Sequence, residues 1–465
     1  MNFRYRVIWT VLLVAAVVGF NLPTFGADAP DFLVAPYVQL GNRPDFSDAM
    51  TLMWHAPDRD AAWAVEVKRP DGWQKMAPPR GSRLHYPDRD AFRIYTAQLR
   101  GYPPGSRFAY RVKRDNTVVF QASGQSRKGP GAPTRIAVMG DTGTGTPGQA
   151  AVAYRINEFQ PDYAVILGDI AYSRGTVKNY YDWFYPPYNA NKASMKDGGP
   201  LMRALPFVGV AGNHDISISW KSITDLDKIP DALAYFFFWD QPLNGPLGVV
   251  GPFTPKLAGS DAAKKRFLAA AGKRFPRMAN FSFDYGNVHW LVLDSNPHVD
   301  WRDAKLRAWV AADLDAVPKG VWRMVAYHHA AFHSSSHHAD ALQMRALARL
   351  FEQKHVDVVF AGHVHEYERP HPIRYGAEGT ITVDRSYDGV KDTTPNGVLY
   401  VTSGIGGQRG ASEYLGGVAY RPKVYTNVYD TSQASYTAVE VNGARMELRQ
   451  IGADGKIVDR FALTR

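Results

Sequence analysis

The sequence predicts a large α/β domain whose strands are buried on both faces, preceded by a small β-sandwich. Three observations carry this expectation. Between Phe32 and Ser126 short β segments recur, punctuated by Gly, Pro, Asp and Asn. From Arg135 onward, apolar strands alternate with stretches of helical periodicity. Almost every one of those later strands ends in Asp, Asn or His.

The chain opens MNFRYRVIWTVLLVAAVVGFNLPTFGADAP, with Arg4 and Arg6, an apolar run from Val7 to Phe20, and small residues from Gly26 to Ala29. This is the layout of a secretory signal peptide over residues 1–26, with cleavage after Gly26 or as late as Ala29. The apolar run is short for a membrane span, which needs about 17–25 residues, so no stable span is expected after cleavage. With no twin arginine, a general export route and a periplasmic or extracellular location are expected.

Six β segments follow: FLVAPYVQL, AMTLMWHA, AWAVEVKR, FRIYTAQL, RFAYRVKR and TVVFQASG. Their rhythm is that of a β-sandwich over residues 30–127. The stretch QSRKGPGAPT at 125–134 reads as a linker. A second domain, 133–465, then opens with the strand RIAVMGD (135–141), a Gly-rich turn and a helix near 148–159. The strands YAVILGD (163–169) and LPFVGVAGNH (205–214) come next. Later strands are FSFDYGN, VHWLVLDSN, RMVAYHH, VDVVFAGHVH and GVLYVTSGIG, with helical periodicity at 303–316 and 339–354. The segment from Ile216 to Arg277 is long and aromatic, and reads as a lid or site wall. After Arg421, YTAVEV, RMELRQI and KIVDRFAL, with turns at Asn442-Gly443 and Asp454-Gly455, form hairpins that complete a sheet.

The chain contains no cysteine in 465 residues. That excludes a disulfide framework, a Cys-ligated metal or cluster, and a thiol nucleophile. A metal site here must be built from His, carboxylate, amide or phenolate. With 54 Lys+Arg against 44 Asp+Glu the net charge is +10; Arg4 and Arg6 leave with the leader and no acid does, which takes it to +8. The basic residues are scattered rather than blocked, so no nucleic-acid partner is expected, and the balance suits an anionic small substrate.

The strand-end residues are Asp141, Asp169, Asn213 with His214, His328, and His363 with His365. In open α/β sheets the carboxyl edge of the strands is where ligands bind. Carboxylate, imidazole and amide oxygen suit Fe, Zn and Mn. A carboxylate can serve two ions at once, and such a pair clamps the attacking and leaving oxygens of a phosphoryl centre. The Gly-rich turn GDTGTGTPG lacks a GK[ST] and the regular glycine spacing of a nucleotide-binding loop.

The ordered set GDTG (140–143), GDIAY (168–172), GNHD (212–215), VAYH (325–328) and GHVHEYER (362–369) resembles the calcineurin-like metallophosphoesterases. Within them it resembles the purple acid phosphatases of two-domain, plant type, whose mark is a tyrosine placed as Tyr172 is, three residues after Asp169. The resemblance implies a four-layer α/β sandwich, two packed sheets flanked by helices, behind a fibronectin-III-like N-terminal domain. It implies that Asp141, Asp169, Tyr172 and His365 bind iron(III), Fe3+, with a purple phenolate–iron bond. Asp169 would bridge to a divalent ion, Zn2+, Fe2+ or Mn2+, held by Asn213, His328 and His363. His214, His337 and His338 would contact phosphate and protonate the leaving alcohol, with His329 and His333 at the surface or behind the ligands.

The implied activity is hydrolysis of phosphate monoesters by in-line attack of a metal-bound hydroxide. A phosphodiesterase or nucleotide hydrolase with the same metals is the nearest rival, and a non-catalytic exported binding protein is a rival of another class. Plant-type members are often disulfide-linked dimers. This chain has no cysteine, which leaves a monomer or a non-covalent homodimer.

Overall fold

The computed structural model describes residues 30–43, 49–216, 223–246, 255–336, 338–408 and 422–465. The expected leader, residues 1–26, and His337 lie outside the described residues.

Two antiparallel four-stranded sheets face each other at the N-terminal end. One runs in the order Val34–Gln39, Met50–Pro57, Arg89–Leu99, Arg80–Tyr86; the other Gly72–Lys75, Trp63–Arg69, Arg107–Arg114, Thr117–Gln125. The period-2 pattern explains the pairing of faces. RFAYRVKR buries Phe108, Tyr110 and Val112 and leaves Arg107, Arg111 and Lys113 on its other side. Between the sheets Trp54 stacks on Tyr95, ring centroids 5.3 Å apart, above Val65, Val67 and Tyr110.

The outer face of the first sheet is also apolar, because it packs against the second domain: Tyr37, Met53, Phe92 and Ile94 share a core with Tyr185 and Phe238. Tyr37 donates to the Phe238 carbonyl at 2.9 Å and Thr51 to Asp240 Oδ2 at 2.6 Å. His55 lies in this contact, each ring nitrogen 3.0 Å from a tyrosine hydroxyl, those of Tyr37 and Tyr181. Burial pushes its pKa down to about 3, so it stays neutral. The linker is pinned as well: Arg127 Nε donates to the Asp284 carbonyl at 2.8 Å and Lys128 pairs with Asp162 at 2.8 Å.

The long segment from Ile216 to Arg277 departs from expectation where it is described. Its aromatic block, Tyr235–Trp239, is wholly buried and packs at this same junction rather than lying over a cavity as a lid. Five consecutive large apolar side chains, each favouring burial by about 1.5–3 kcal/mol, are better placed in a core than over water. Residues 217–222 and 247–254 lie outside the described residues.

The second domain has two sheets back to back. The six-stranded sheet runs Phe207–Gly209, Tyr163–Ile166, Thr134–Met139, Ser435–Asn442, Arg445–Gly452, Ile457–Thr464, so the C-terminal hairpins do extend it. The seven-stranded sheet runs Phe281–Tyr285, Val288–Val292, Trp322–His329, Val358–Gly362, Leu399–Ser403, Tyr367–Pro370, Thr426–Asp430. Val138, Val165 and Val208 of the first meet Trp290, Met324, Phe360 and Leu399 of the second. The helix Pro147–Phe159 covers one outer face, and the helices Ala304–Asp315 and Ala348–Gln353 the other. Strands covered on both sides must be apolar throughout, which is why YAVI and VVFAG carry no alternation.

Two element boundaries differ from the sequence reading. The expected strand at 205–214 pairs only over Phe207–Gly209, because the carbonyls of Ala211 and Gly212 turn to the Asn296 side-chain amide at 3.3 and 3.4 Å. The helix expected over 339–354 begins as a 3-10 turn at Gln343–Leu347, since Asp340–Leu342 close tight turns instead. Among the described residues no helix is long and apolar enough to cross a membrane.

His289 gives this fold a measurable pH dependence. It is buried, with Nδ1 2.7 Å from Asp284 and Nε2 2.9 Å from Asp313. Burial alone pulls its pKa down, but the two carboxylates outweigh that and raise it to about 9. A raised folded pKa stabilises fully below the unfolded value near 6.5, and the gain disappears as pH climbs through 9. With Asp284 half exposed, a contribution on the order of 1–2 kcal/mol is expected. Denaturant unfolding of His289→Gln should therefore show a deficit at pH 6 that vanishes near pH 9.5; a deficit independent of pH would refute this.

Candidate metal centre

Parallel pairing brings the carboxyl ends of the key strands to one edge. Thr134–Met139, Tyr163–Ile166 and Phe207–Gly209 are in parallel register in one sheet, as are Trp322–His329 and Val358–Gly362 in the other. Asp141, Asp169 and Asn213 follow the first three, His328 lies at the end of the fourth, and His363 and His365 follow the fifth.

The backbone bends sharply to deliver them. Asp141, Asp169 and His363 have φ of 57°, 48° and 67°, a left-handed conformation that non-glycine residues avoid and that clusters at functional sites. The glycines in GNH and GHV answer a different need, close approach. A Cβ on Gly212 would lie 2.1 Å from the Asp169 nitrogen, and one on Gly362 would lie 2.6 Å from Asp141 Oδ2.

Two donor sets result, with Asp169 between them. In the first, the Tyr172 hydroxyl lies 2.8 Å from Asp141 Oδ1, 3.0 Å from Asp169 Oδ2 and 3.3 Å from His365 Nε2. In the second, His328 Nε2 lies 3.2 Å from Asp169 Oδ1 and 3.0 Å from Asn213 Oδ1. The ligand atoms of Asp169, His328 and His363 all fall within 4.8 Å of one another. His328 Nδ1 donates to the Leu167 carbonyl at 2.7 Å, which turns Nε2 toward these oxygens.

The electrostatics favour a cation. Burial would raise the Asp169 pKa, yet His328 and His214 together hold it below the usual carboxylate range. Burial likewise works against a charged His328, but Asp169 and Asp141 lift it to about 9. Burial, then Asp141 and Asp169, keep the Tyr172 phenol protonated well above its ordinary 10. Burial and the neighbouring imidazoles of His329 and His328 hold His363 neutral. Positive charge is thus favoured between the carboxylates, where a metal ion would compete with the protons on His328 and Tyr172. Oxygen-rich donors on one side and an amide with two imidazoles on the other fit hard and borderline metals.

Of the other residues singled out in the sequence, His214 is anchored by its backbone N–H to Asp169 Oδ1 at 2.9 Å and by Nδ1 to the Ser173 carbonyl at 2.5 Å. Its Nε2 sits 3.8 Å from Asp169 Oδ2, with the side chain 34% exposed. His338 is half-buried, its ring 4.1 Å from that of His363. His329 and His333 are both buried, so neither is a surface residue. Asn280, which Phe281 and Ser282 follow in the Asn-X-Ser pattern of a glycosylation acceptor, is buried and accepts from the Asp294 nitrogen at 2.8 Å.

Sequence reasoning missed the residues that hold the candidate ligands in place. Asp215 accepts from Ile170 and Gly212 nitrogens at 3.0–3.2 Å, bracing the turns that carry Asp169 and Asn213. Asn296, held by Asp294 at 2.7 Å, binds the two carbonyls that precede Asn213. Ser295 accepts from the backbone of His328 and His329. A visible signal existed: DSN directly follows an apolar strand, as the ligand motifs do.

A pair of sheets delivering such donors to one shared edge defines metal-dependent phosphoesterases as a class, and residues 134–367 match the calcineurin-like phosphoesterase family. The chain belongs to that family and, within it, to the purple acid phosphatases. Purple acid phosphatase 21 of Arabidopsis thaliana is 37% identical over 372 residues, 78% of this chain and 69% of the relative. Purple acid phosphatase 23 of the same plant is 25% identical over 348 residues, 68% of this chain, which spans 62% of that relative. The fold is shared with a purple acid phosphatase from yellow lupin (Lupinus luteus) seeds, TM-score 0.64 at 16% identity, covering 92% of this chain and 74% of that one.

Proposed function

We propose that the chain is an exported acid phosphatase that hydrolyses phosphate monoesters at a centre of two metal ions, an iron(III) and a divalent Zn2+, Fe2+ or Mn2+. Asp141, Asp169, Tyr172 and His365 would hold the first, and Asp169, Asn213, His328 and His363 the second. One observation carries this reading: the two oxygens of Asp169 face different donor sets, Oδ2 toward the Tyr172 hydroxyl at 3.0 Å and Oδ1 toward His328 Nε2 at 3.2 Å. Bound there, the ions would supply a water of lowered pKa and neutralise charge on the phosphoryl oxygens.

The chain's own residues do the rest. The carbonyl of Leu167 keeps the His328 Nδ1 proton in place, so its Nε2 lone pair is committed to the centre. The Ser173 carbonyl accepts the His214 Nδ1–H in the same way, so the proton that the imidazolium gives to the departing alkoxide is the one on Nε2, at the half-open mouth. His338, beside His363, is placed to donate to a phosphate oxygen. The substrate is a small phosphate ester, the leader over residues 1–26 directs export, and the protein acts as a monomer or a non-covalent homodimer.

Metal analysis should give two ions per chain, with phosphate released faster from 4-nitrophenyl phosphate than from its bis ester. Preferential cleavage of the diester would favour the phosphodiesterase reading, and two ions without release from either would favour a binding protein. Iron loading should produce a broad visible absorption that Tyr172→Phe abolishes. A colourless wild-type protein with full iron content would defeat the phenolate assignment.

A further inference from the structure

Trp183 stands in the π-helical turn Tyr180–Phe184, a conformation that is rare and gathers at functional sites. Its neighbours Tyr180 and Phe184 are wholly buried, yet Trp183 is 42% exposed. The open ring is nevertheless fixed. Gln149, itself buried, accepts the N–H groups of Thr144 and Gly145 on Oε1 at 3.1 and 2.9 Å, and its Nε2 donates to the Trp183 carbonyl at 2.9 Å. A Cβ on Gly145, where φ is 70°, would lie 2.1 Å from the indole, so glycine is what lets the ring lie against that turn. A large aromatic face that is held in place and left open to water suits a binding anchor rather than core packing.

The indole lines a cleft of about 780 Å³ between the start of the helix Pro147–Phe159 and the hairpin of Asn189–Ser194 and Gly198–Pro200. That volume falls within the range of small-molecule sites, about 300–1,000 Å³. Among the described residues Trp183 is the one aromatic that lines the cleft, whereas a proline-rich peptide docks along a row of them. Asn191 adds an exposed amide. The charged lining is even, with the carboxylates of Asp182 and Asp197 against the ammonium groups of Lys192 and Lys196, and Lys192 lies 3.9 Å from Asp197. Such a balance selects neither an anion nor a cation, while amide, carboxylate and ammonium groups all bond to hydroxyls.

We propose that this cleft is a carbohydrate-binding site, separate from the metal centre, which takes a neutral oligosaccharide of gluco configuration with a pyranose ring stacked on Trp183. With its ring substituents equatorial, such a sugar turns axial C–H groups to each face, and those weakly positive hydrogens suit the negative face of an indole. Its hydroxyl edge would meet Asn191, Lys192 and Asp197 of the same cleft. The site makes no use of metal ions and is independent of the phosphatase reading.

Calorimetric titration of the full-length protein with cellohexaose and with chitohexaose tests this. At least one of the two should bind with a Kd below about 1 mM, and Trp183→Ala should weaken that binding at least about tenfold. The exposed ring leaves no core cavity when removed, so this variant should melt with the wild type. Trp183→Tyr, which keeps an aromatic face, should recover part of the loss. Asn191→Ala leaves the indole in place and should weaken binding by about threefold, the loss of one hydrogen bond. Binding of neither sugar, wild-type affinity in Trp183→Ala, or tighter binding of a decaproline peptide than of either sugar would overturn the proposal. Failure of the phosphatase reading would show separately, as absence of phosphate release from 4-nitrophenyl phosphate by protein carrying both ions.

Discussion

Asp169→Asn is expected to lower the metal content from two ions per chain to one or none and to reduce phosphate release by at least about 10²–10³-fold. The argument is one of counting oxygens. In the native side chain Oδ2 faces the Tyr172 hydroxyl at 3.0 Å, while Oδ1 faces His328 Nε2 at 3.2 Å and accepts the His214 backbone N–H at 2.9 Å. An asparagine is nearly isosteric but supplies only one oxygen; its amide nitrogen cannot ligate a metal. It must therefore fail one donor set, and the charge that favours cations falls by one unit for both. The fold should tolerate the change, because the replacement keeps the volume and relieves the crowding of buried carboxylates around Tyr172. Metal analysis and a thermal melt on the same sample decide: two retained ions with more than a tenth of wild-type activity would refute the shared role of Asp169.

How much of this was legible beforehand depends on the range of the interaction. The helix at 148–159 is written locally, with Thr146 capping the Gln149 nitrogen and Pro147 starting the first turn, and it forms over Pro147–Phe159. The buried parallel strands are written as apolar runs, and their carboxyl ends name Asp141, Asp169 and His328 as neighbours once the sheet is accepted. The aromatic block at 235–239 was misread for the opposite reason. Its composition says only that it is apolar, and whether such a run covers a cavity or fills a junction depends on Tyr37 and Met53, some two hundred positions away. The hydrogen bonding of His329 is hidden in the sequence for the same reason. Nothing in HHAAFHSSSHH separates its imidazole from its neighbours until the Ser295 hydroxyl, thirty-four residues earlier, is found 2.9 Å from its Nδ1. The candidate ligands cluster in motifs; the side chains that hold them in place are scattered along the chain.

Asp215 is the strongest case of such a support, and Asp215→Ala is expected to cost about 2–4 kcal/mol of stability and to weaken metal retention by about 10–100-fold. The carboxylate is 1% exposed and accepts from the Ile170 and Gly212 nitrogens, so alanine would leave two buried backbone donors without a partner. Those nitrogens belong to the turns that present Asp169 and Asn213, and the turn at Asp169 is already in a left-handed conformation with φ of 48°. Releasing the brace lets that turn relax toward an ordinary conformation and carries the shared carboxylate away from one donor set. Burial, then the charge of Asp169, raises the Asp215 pKa above the usual carboxylate range, and its two oxygens serve the turns as acceptors. Asp215→Asn, which keeps one acceptor oxygen, should accordingly fall between alanine and the wild type. An alanine variant that melts with the wild type and holds two ions would show that the turns stand without it; a stable one that binds both ions only at higher metal concentration would show Asp215 acting through the geometry of Asp169.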